Sequence, residues 1–168
     1  AFYKGDIAKA MVKAMSENNG LFSLKDFENY KAEISEPIVA SYRGNLVFTA
    51  GPPSGGGITL LTALNILSFF DLKKFNSDSA ITYHLISEAL RRGHNNRSHF
   101  VGDPDYFDVP INQLLSKERT IELAKTIDIK KASKSTVVKP LELIKESRDT
   151  THYSIIDKMG NAVSNTYT

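Results

Sequence analysis

The run TTHYSIIDKMGNAVSNTYT, from Thr150 to Thr168, holds the residues whose spacing bears most directly on chemistry. A threonine hydroxyl is a weak nucleophile that needs a base beside it. When the threonine begins a chain, its own α-amine can be that base. A reference pKa of about 7.7–8.0 leaves this amine substantially available near neutral pH, without a catalytic His or carboxylate. Thr150 follows the stretch KKASKSTVVKPLELIKESRD, whose polar, basic and weakly periodic character predicts an exposed connector, the kind of segment in which chains are cut. Cleavage between Asp149 and Thr150 would free the amine at the start of a strand. A purely structural reading stands beside this one, because β-branched residues such as Thr150 and Thr151 suit strands whatever their chemistry.

Positioning such a threonine is the task of the elements around it. TTHYSIID and AVSNTYT read as two strands joined by the turn KMGN. If Asp157 pairs with Ala162, the Thr168 end returns beside the Thr150 end, and a second hydroxyl can orient the first. The spacing leaves the face open, since a one-residue slip moves Thr168 to the other side.

Upstream, apolar positions recur at helical spacing from Asp6 to Asn18, with Asp6 as the expected N-cap and Gly20 as the stop. Ser23 and Asp26 have the spacing of a capping box at the start of a second, short helix. IVASY and LVFTA predict two strands about the turn Arg43–Gly44–Asn45. GPPSGGG ends the second strand and leads into a helix from Ile58 to Phe70, buried on most sides. A further helix is expected from about Ser79 to Arg92, with its arginine pair near the C-terminal end of the helix dipole. The turn-rich GDPDYFDVP follows, and then a last helix from Ser116 to Ile127.

Composition narrows the classes. The chain has 168 residues, 41% of them hydrophobic, enough for an ordinary core. Its 21 basic and 19 acidic side chains leave a formal charge of +2, too balanced for a surface devoted to nucleic acid or anionic lipid. Absence of cysteine excludes disulfides, a thiolate nucleophile and the usual structural zinc sites. No run approaches the roughly 18 apolar residues of a membrane span, and the opening AFYKGDIAKA lacks the order of a signal peptide.

Other constellations are weaker. His84 and Glu88 with His94 and His99 suggest a metal site, but the loop expected between them fixes no ligand geometry, and a helix-surface pair explains the first two. Arg91, Arg92 and Arg97 with Asn95 and Asn96 read as a solvated helix end. GPPSGGG lacks the Lys-Ser or Lys-Thr ending of a phosphate loop. Asp103 and Asp105 suit turns. No cofactor and no metal are implied.

Five blocks, taken together, resemble the γ-glutamyltranspeptidase (glutathione hydrolase) family: FYKGDIA, GLFSLKDFENY, PPSGGG with LNILSFFDL, SEAL to SHFVGDPDYFDVP, and TTHYS, in the family's order and at compatible spacing. The resemblance implies an α+β fold, the four-layer αββα sandwich of N-terminal-nucleophile hydrolases, of which this chain supplies mainly helices and some strands. It implies an inactive precursor that cleaves itself between Asp149 and Thr150. Residues 1–149 would then be the late part of a large subunit and 150–168 the start of a small one. Thr150 would be the nucleophile, Thr168 the residue orienting it, with Thr166, Tyr167 and His152 as neighbours. The donor would be glutathione or another γ-glutamyl compound, and the acceptor water, an amino acid or a peptide. A periplasmic or extracellular location is suggested by the family alone. The family's donor-carboxylate Arg, oxyanion-hole groups and acidic clamp have no counterpart in these residues, so the 168 residues alone are expected to be inactive.

The chain departs from the family at Gly55, where a second Ser is usual, in what reads as a structural turn. Two further readings stay open. One is a cephalosporin (glutaryl) acylase of the same fold and nucleophile. The other is a noncatalytic homologue acting as a binding or structural protein.

Overall fold

A computed structural model describes residues 1–134 and 151–167. They form a mixture of helices and short strands, in two compact units that divide between Glu36 and Pro37.

The first unit carries helices α1, Asp6–Glu17, and α2, Leu24–Asn29. Gly5, not Asp6, takes the N-cap position of α1, and Asp6 becomes the acidic residue of its first turn, where a carboxylate meets the positive end of the helix dipole. In α2 the Ser23–Asp26 pairing forms as expected. The Asp26 carboxylate accepts from the Ser23 hydroxyl at 2.6 Å and from its backbone N–H at 2.8 Å, and these bonds hold its pKa below the ordinary value. Aromatic edges and faces tie the unit together: Phe2 against Phe27, Phe22 against Phe27, and Tyr3 stacked on Tyr30.

In the second unit, β1, Ile38–Tyr42, and β2, Asn45–Thr49, pair antiparallel from Ile38↔Thr49 to Tyr42↔Asn45. Arg43 and Gly44 turn the chain with φ of 50° and 84°, the two positive values of a type I′ hairpin. Helix α3, Gly56–Leu67, starts two residues before the expected Ile58. Helix α4, Ala80–Phe100, overruns the expected end at Arg92 by two turns. Gly93 does not break it: a Cβ there would lie 2.5 Å from the Thr59 carbonyl oxygen, so the glycine admits α3 at close range. The Ser79 side chain accepts from the Thr82 N–H to cap this helix. After α5, Ile111–Leu114, comes α6, Lys117–Lys125, capped by Ser116. Ala63, Ile66 and Leu67 of α3, Leu85 and Ala89 of α4, and Leu123, Ala124 and Ile127 make the core where the three helices meet.

The overrun of α4 moves Arg92 from a helix end to mid-helix, where it is 6% exposed beside Glu88 at 1%. The guanidinium closes the C-terminal end of α6. Its Nε donates to the Leu123 carbonyl at 3.1 Å and the Thr126 hydroxyl at 2.8 Å, and Nη2 donates to the Thr126 carbonyl at 2.9 Å. The Leu123 carbonyl also accepts from the Thr126 N–H at 3.2 Å and the Thr126 hydroxyl at 2.7 Å, so Arg92 adds to a cap that Thr126 begins. Glu88 accepts from Arg92 Nη1 at 2.7 Å, from the Ser133 N–H at 3.1 Å and from the Ser133 hydroxyl at 2.5 Å. Burial raises the Glu88 pKa, but the Ser133 and Arg92 hydrogen bonds outweigh it and hold the group at about 2.

The second sheet is also a hairpin, β3, Thr151–Ile156, with β4, Ala162–Tyr167. Its described side chains are exposed on both faces.

Candidate active site

The β3–β4 hairpin positions the predicted site through its register. Ile156 pairs with Ala162, Ser154 with Ser164, His152 with Thr166 and Thr151 with Tyr167. This is one residue away from the Asp157–Ala162 pairing expected from the turn, and the cause is the Asp157 side chain. Its Oδ1 accepts from the N–H groups of Met159 at 2.8 Å and Asn161 at 2.9 Å, and its Oδ2 from the Asn161 amide at 2.8 Å. The Asp157 N–H donates to the Asn161 carbonyl at 3.0 Å. An Asp that gathers the following N–H groups tightens the turn and draws Asn161, rather than Ala162, opposite itself. The Asn161 side chain first, then its backbone N–H, hold the Asp157 pKa below its ordinary value.

Register decides the faces, because side chains alternate along a strand. His152, Ser154, Ser164 and Thr166 share one face, with Ile156 and Ala162 at its turn end. Tyr153, Ile155 and Val163 share the other with Thr151 and Asn165. The polar face carries a connected set of side chains. His152 Nδ1 lies 2.9 Å from the Thr166 hydroxyl, and Nε2 lies 3.0 Å from the Ser164 hydroxyl and 3.4 Å from that of Ser154. An imidazole holds a donor and an acceptor on opposite sides, and a hydroxyl can be either, so His152 ties β3 to β4 in either tautomer. Each of these groups is exposed, so each bond contributes modestly.

Thr150, Asp149 and Thr168 lie outside the described residues. Of the neighbours expected from the resemblance, His152 and Thr166 come together across the strands.

Other sequence candidates resolve into structural roles. The Glu88 carboxylate is engaged by Arg92 and Ser133 in the interior, so the surface pairing with His84 is corrected by burial. His84 Nε2 lies 2.8 Å from the Asp128 carbonyl, and His99 Nδ1 lies 2.8 Å from the Asn95 carbonyl. Asp103 accepts from the Asp105 N–H at 3.0 Å, as a turn residue does. At Gly55 a Cβ would stand 2.7 Å from Cγ of Arg97 and 2.8 Å from its Cδ and Nε. The side chain of Arg97 therefore lies where a serine's Cβ would need room, and the departure is structural.

The model of the γ-glutamyltranspeptidase family matches residues 1–168. The chain belongs to the γ-glutamyltranspeptidase family. The glutathione hydrolase proenzyme of Escherichia coli K12 is 44% identical over 168 residues, which are 99% of this chain and 29% of that protein. The Acylase ACY 1 proenzyme of Pseudomonas sp. SE83 is 35% identical over 168 residues, covering all of this chain and 30% of that protein. The crystal structure of Helicobacter pylori γ-glutamyltranspeptidase superposes with a TM-score of 0.76 at 30% identity, over 88% of this chain and 43% of that one. The chain spans less than a third of the length of the Escherichia coli and Pseudomonas proenzymes.

The network that sequence reasoning missed is Glu88–Arg92–Ser133. Its signal was present as a Glu and an Arg four apart, a spacing that favours ion pairing on a helix. The expected helix end at Arg92 concealed it.

Proposed function

We propose that this chain is part of a glutathione hydrolase and γ-glutamyltransferase that matures by cleaving itself between Asp149 and Thr150. The observation that carries the proposal is the match to the γ-glutamyltranspeptidase family over residues 1–168. Among the described residues the hairpin expected to begin with Thr150 is present, paired from Ile156↔Ala162 to Thr151↔Tyr167 with His152 opposite Thr166. Thr168 is assigned as the hydroxyl that orients Thr150 on the family resemblance. The membership of the family and its proenzyme relatives supply the reaction class.

Maturation begins when the Thr150 hydroxyl attacks the carbonyl of Asp149. The C–N bond breaks, its nitrogen becomes the α-amine of Thr150, and an ester links Asp149 to the hydroxyl oxygen. Water hydrolyses the ester, which frees the Asp149 carboxylate and restores the hydroxyl. In turnover the freed amine accepts the hydroxyl proton as the oxygen attacks the γ-glutamyl carbonyl. The donor's amine leaves with a proton, and a γ-glutamyl ester remains on Thr150. Water then gives hydrolysis, and an amino acid or peptide amine gives transfer. By the same reading, residues 1–149 belong to the large subunit, 150–168 open the small one, and the assembled enzyme is a four-layer αββα sandwich.

Intact-mass measurement of the full-length protein over time, beside Thr150→Ala, tests this. Two pieces that meet before Thr150 and arise only in the wild type are expected. An uncut wild type under these conditions defeats the maturation reading and favours a noncatalytic homologue.

The match to the Acylase ACY 1 proenzyme favours one second reading, a glutaryl acylase. Competing γ-glutamyl and glutaryl anilides against the matured enzyme separates the two. Faster release from the γ-glutamyl compound is expected.

A further inference from the structure

Cutting before Thr150, as proposed above, changes the mechanics of the chain upstream. While the peptide is whole, the stretch that follows α6 is tied at both ends by covalent continuity. Once the chain is cut, the same stretch becomes a free terminus, and free termini fray unless something fastens them. Among the described residues, apolar burial fastens it as far as Ile127, which is 9% exposed. Residues 128–132 are exposed, and Ser133 is the next to turn inward.

We propose that Glu88 and Arg92 form a binding site for this chain's own tail, one that keeps residues 123–133 docked on α4 after the downstream cut. The proposal rests on the cleavage reading only for the origin of the cut. Its geometry is independent of that reading. Arg92 takes the Leu123 and Thr126 carbonyls at 3.1 and 2.9 Å, and so closes α6. Glu88 takes both the N–H and the hydroxyl of Ser133, at 3.1 and 2.5 Å. His84 adds a contact to the Asp128 carbonyl at 2.8 Å.

The chemistry suits retention. Withdrawing Ser133 leaves Glu88 its ion pairs with Arg92 at 2.7 Å and Arg91 at 3.4 Å but strips two hydrogen bonds from a buried carboxylate, a loss that a surface contact, which water replaces, would not carry. Hydrogen bonds to charged groups are also stronger than those between neutral ones. The site recognises a serine whose N–H and hydroxyl can both reach one carboxylate. Alanine at the same position keeps the backbone bond and loses the shorter one.

The test uses full-length protein carrying Ser133→Ala, which leaves the Glu88–Arg92 pair intact. It is made in the wild-type chain and in an uncleavable Thr150→Ala chain. A third form carries Thr150→Ala and a recognition sequence for a specific protease within residues 135–149, so that the cut can be made at will. Each is exposed to a dilute nonspecific protease, and trimming past Ile127 is followed by mass. Ser133→Ala is expected to speed trimming about tenfold or more in cut chains and to leave the uncut chain at its parent's rate. Equal acceleration in cut and uncut chains overturns the proposal, since the contact is then a general stabiliser. No acceleration in either also overturns it. Should the wild type fail to cut itself while the protease-cut form shows the Ser133 dependence, the retention site stands and only the self-cleavage reading falls.

Discussion

His152 is the side chain that reaches both partners across the hairpin, with Thr166 at one ring nitrogen and Ser164 at the other. Its role is positional: it holds together the strand ends from which 150 and 168 follow. His152→Ala and Thr166→Val should each slow the proposed self-cleavage by about two- to tenfold, the worth of one hydrogen bond of ordinary strength. Because the two side chains share a bond, the double variant should be slower than either single one by less than the product of their effects. A time course of intact mass measures all three, and a fully multiplicative result means that the pair does not act together. Glu88 makes a prediction in acid. Its folded pKa of about 2 lies below the ordinary value of 4.5, so its contribution to stability is complete above about pH 4.5 and is lost as pH falls toward 2. The contribution is on the order of a few kcal/mol. Denaturant midpoints at pH 6 and pH 3 should therefore differ by less in Glu88→Gln than in the parent.

The contact between α3 and α4 depends on Gly93 lying against the Thr59 carbonyl. Gly93→Ala must push the helices apart at that point, and a loss of about 1–3 kcal/mol is expected in chemical denaturation. Leu85, 1% exposed within the core cluster, should cost about 2–5 kcal/mol as alanine. Most elements were legible from periodicity and caps: α1, the capping box of α2, both hairpins and α6 follow from local pattern. The end of α4 was not, because the arginine pair suited the C-terminal end of a helix dipole and the polar residues around it read as a solvated helix end. Only a tertiary neighbour, the backbone of α3, explains why a glycine, Gly93, is needed within it. The hairpin register was off by one for a related reason. The sequence KMGN marks a turn, but the hydrogen bonds of one flanking carboxylate, Asp157, choose which residue faces which. The residue pattern alone offered Thr150 no preference over a structural threonine, and a family resemblance was needed to single it out.

At the scale of the whole chain, the two halves of the second unit differ in support. The helices share a buried core, whereas the hairpin is exposed on both sides, and a two-stranded hairpin is marginal by itself in water. Amide hydrogen exchange on the 168-residue chain alone should therefore find residues 151–167 weakly protected beside strong protection in α3 and α4. Comparable protection in both would contradict this. No γ-glutamyl hydrolysis is expected from the same sample, since the chain spans 29% of its Escherichia coli relative. Met159, at the tip of the turn, is 87% exposed. A thioether in that position takes up oxygen readily and has no packing to lose when it does. Brief peroxide treatment thus gives a footprint of the hairpin's surroundings. Sulfoxide at Met159 in the 168-residue chain, but not in the full-length protein, would locate the turn beneath residues outside these 168.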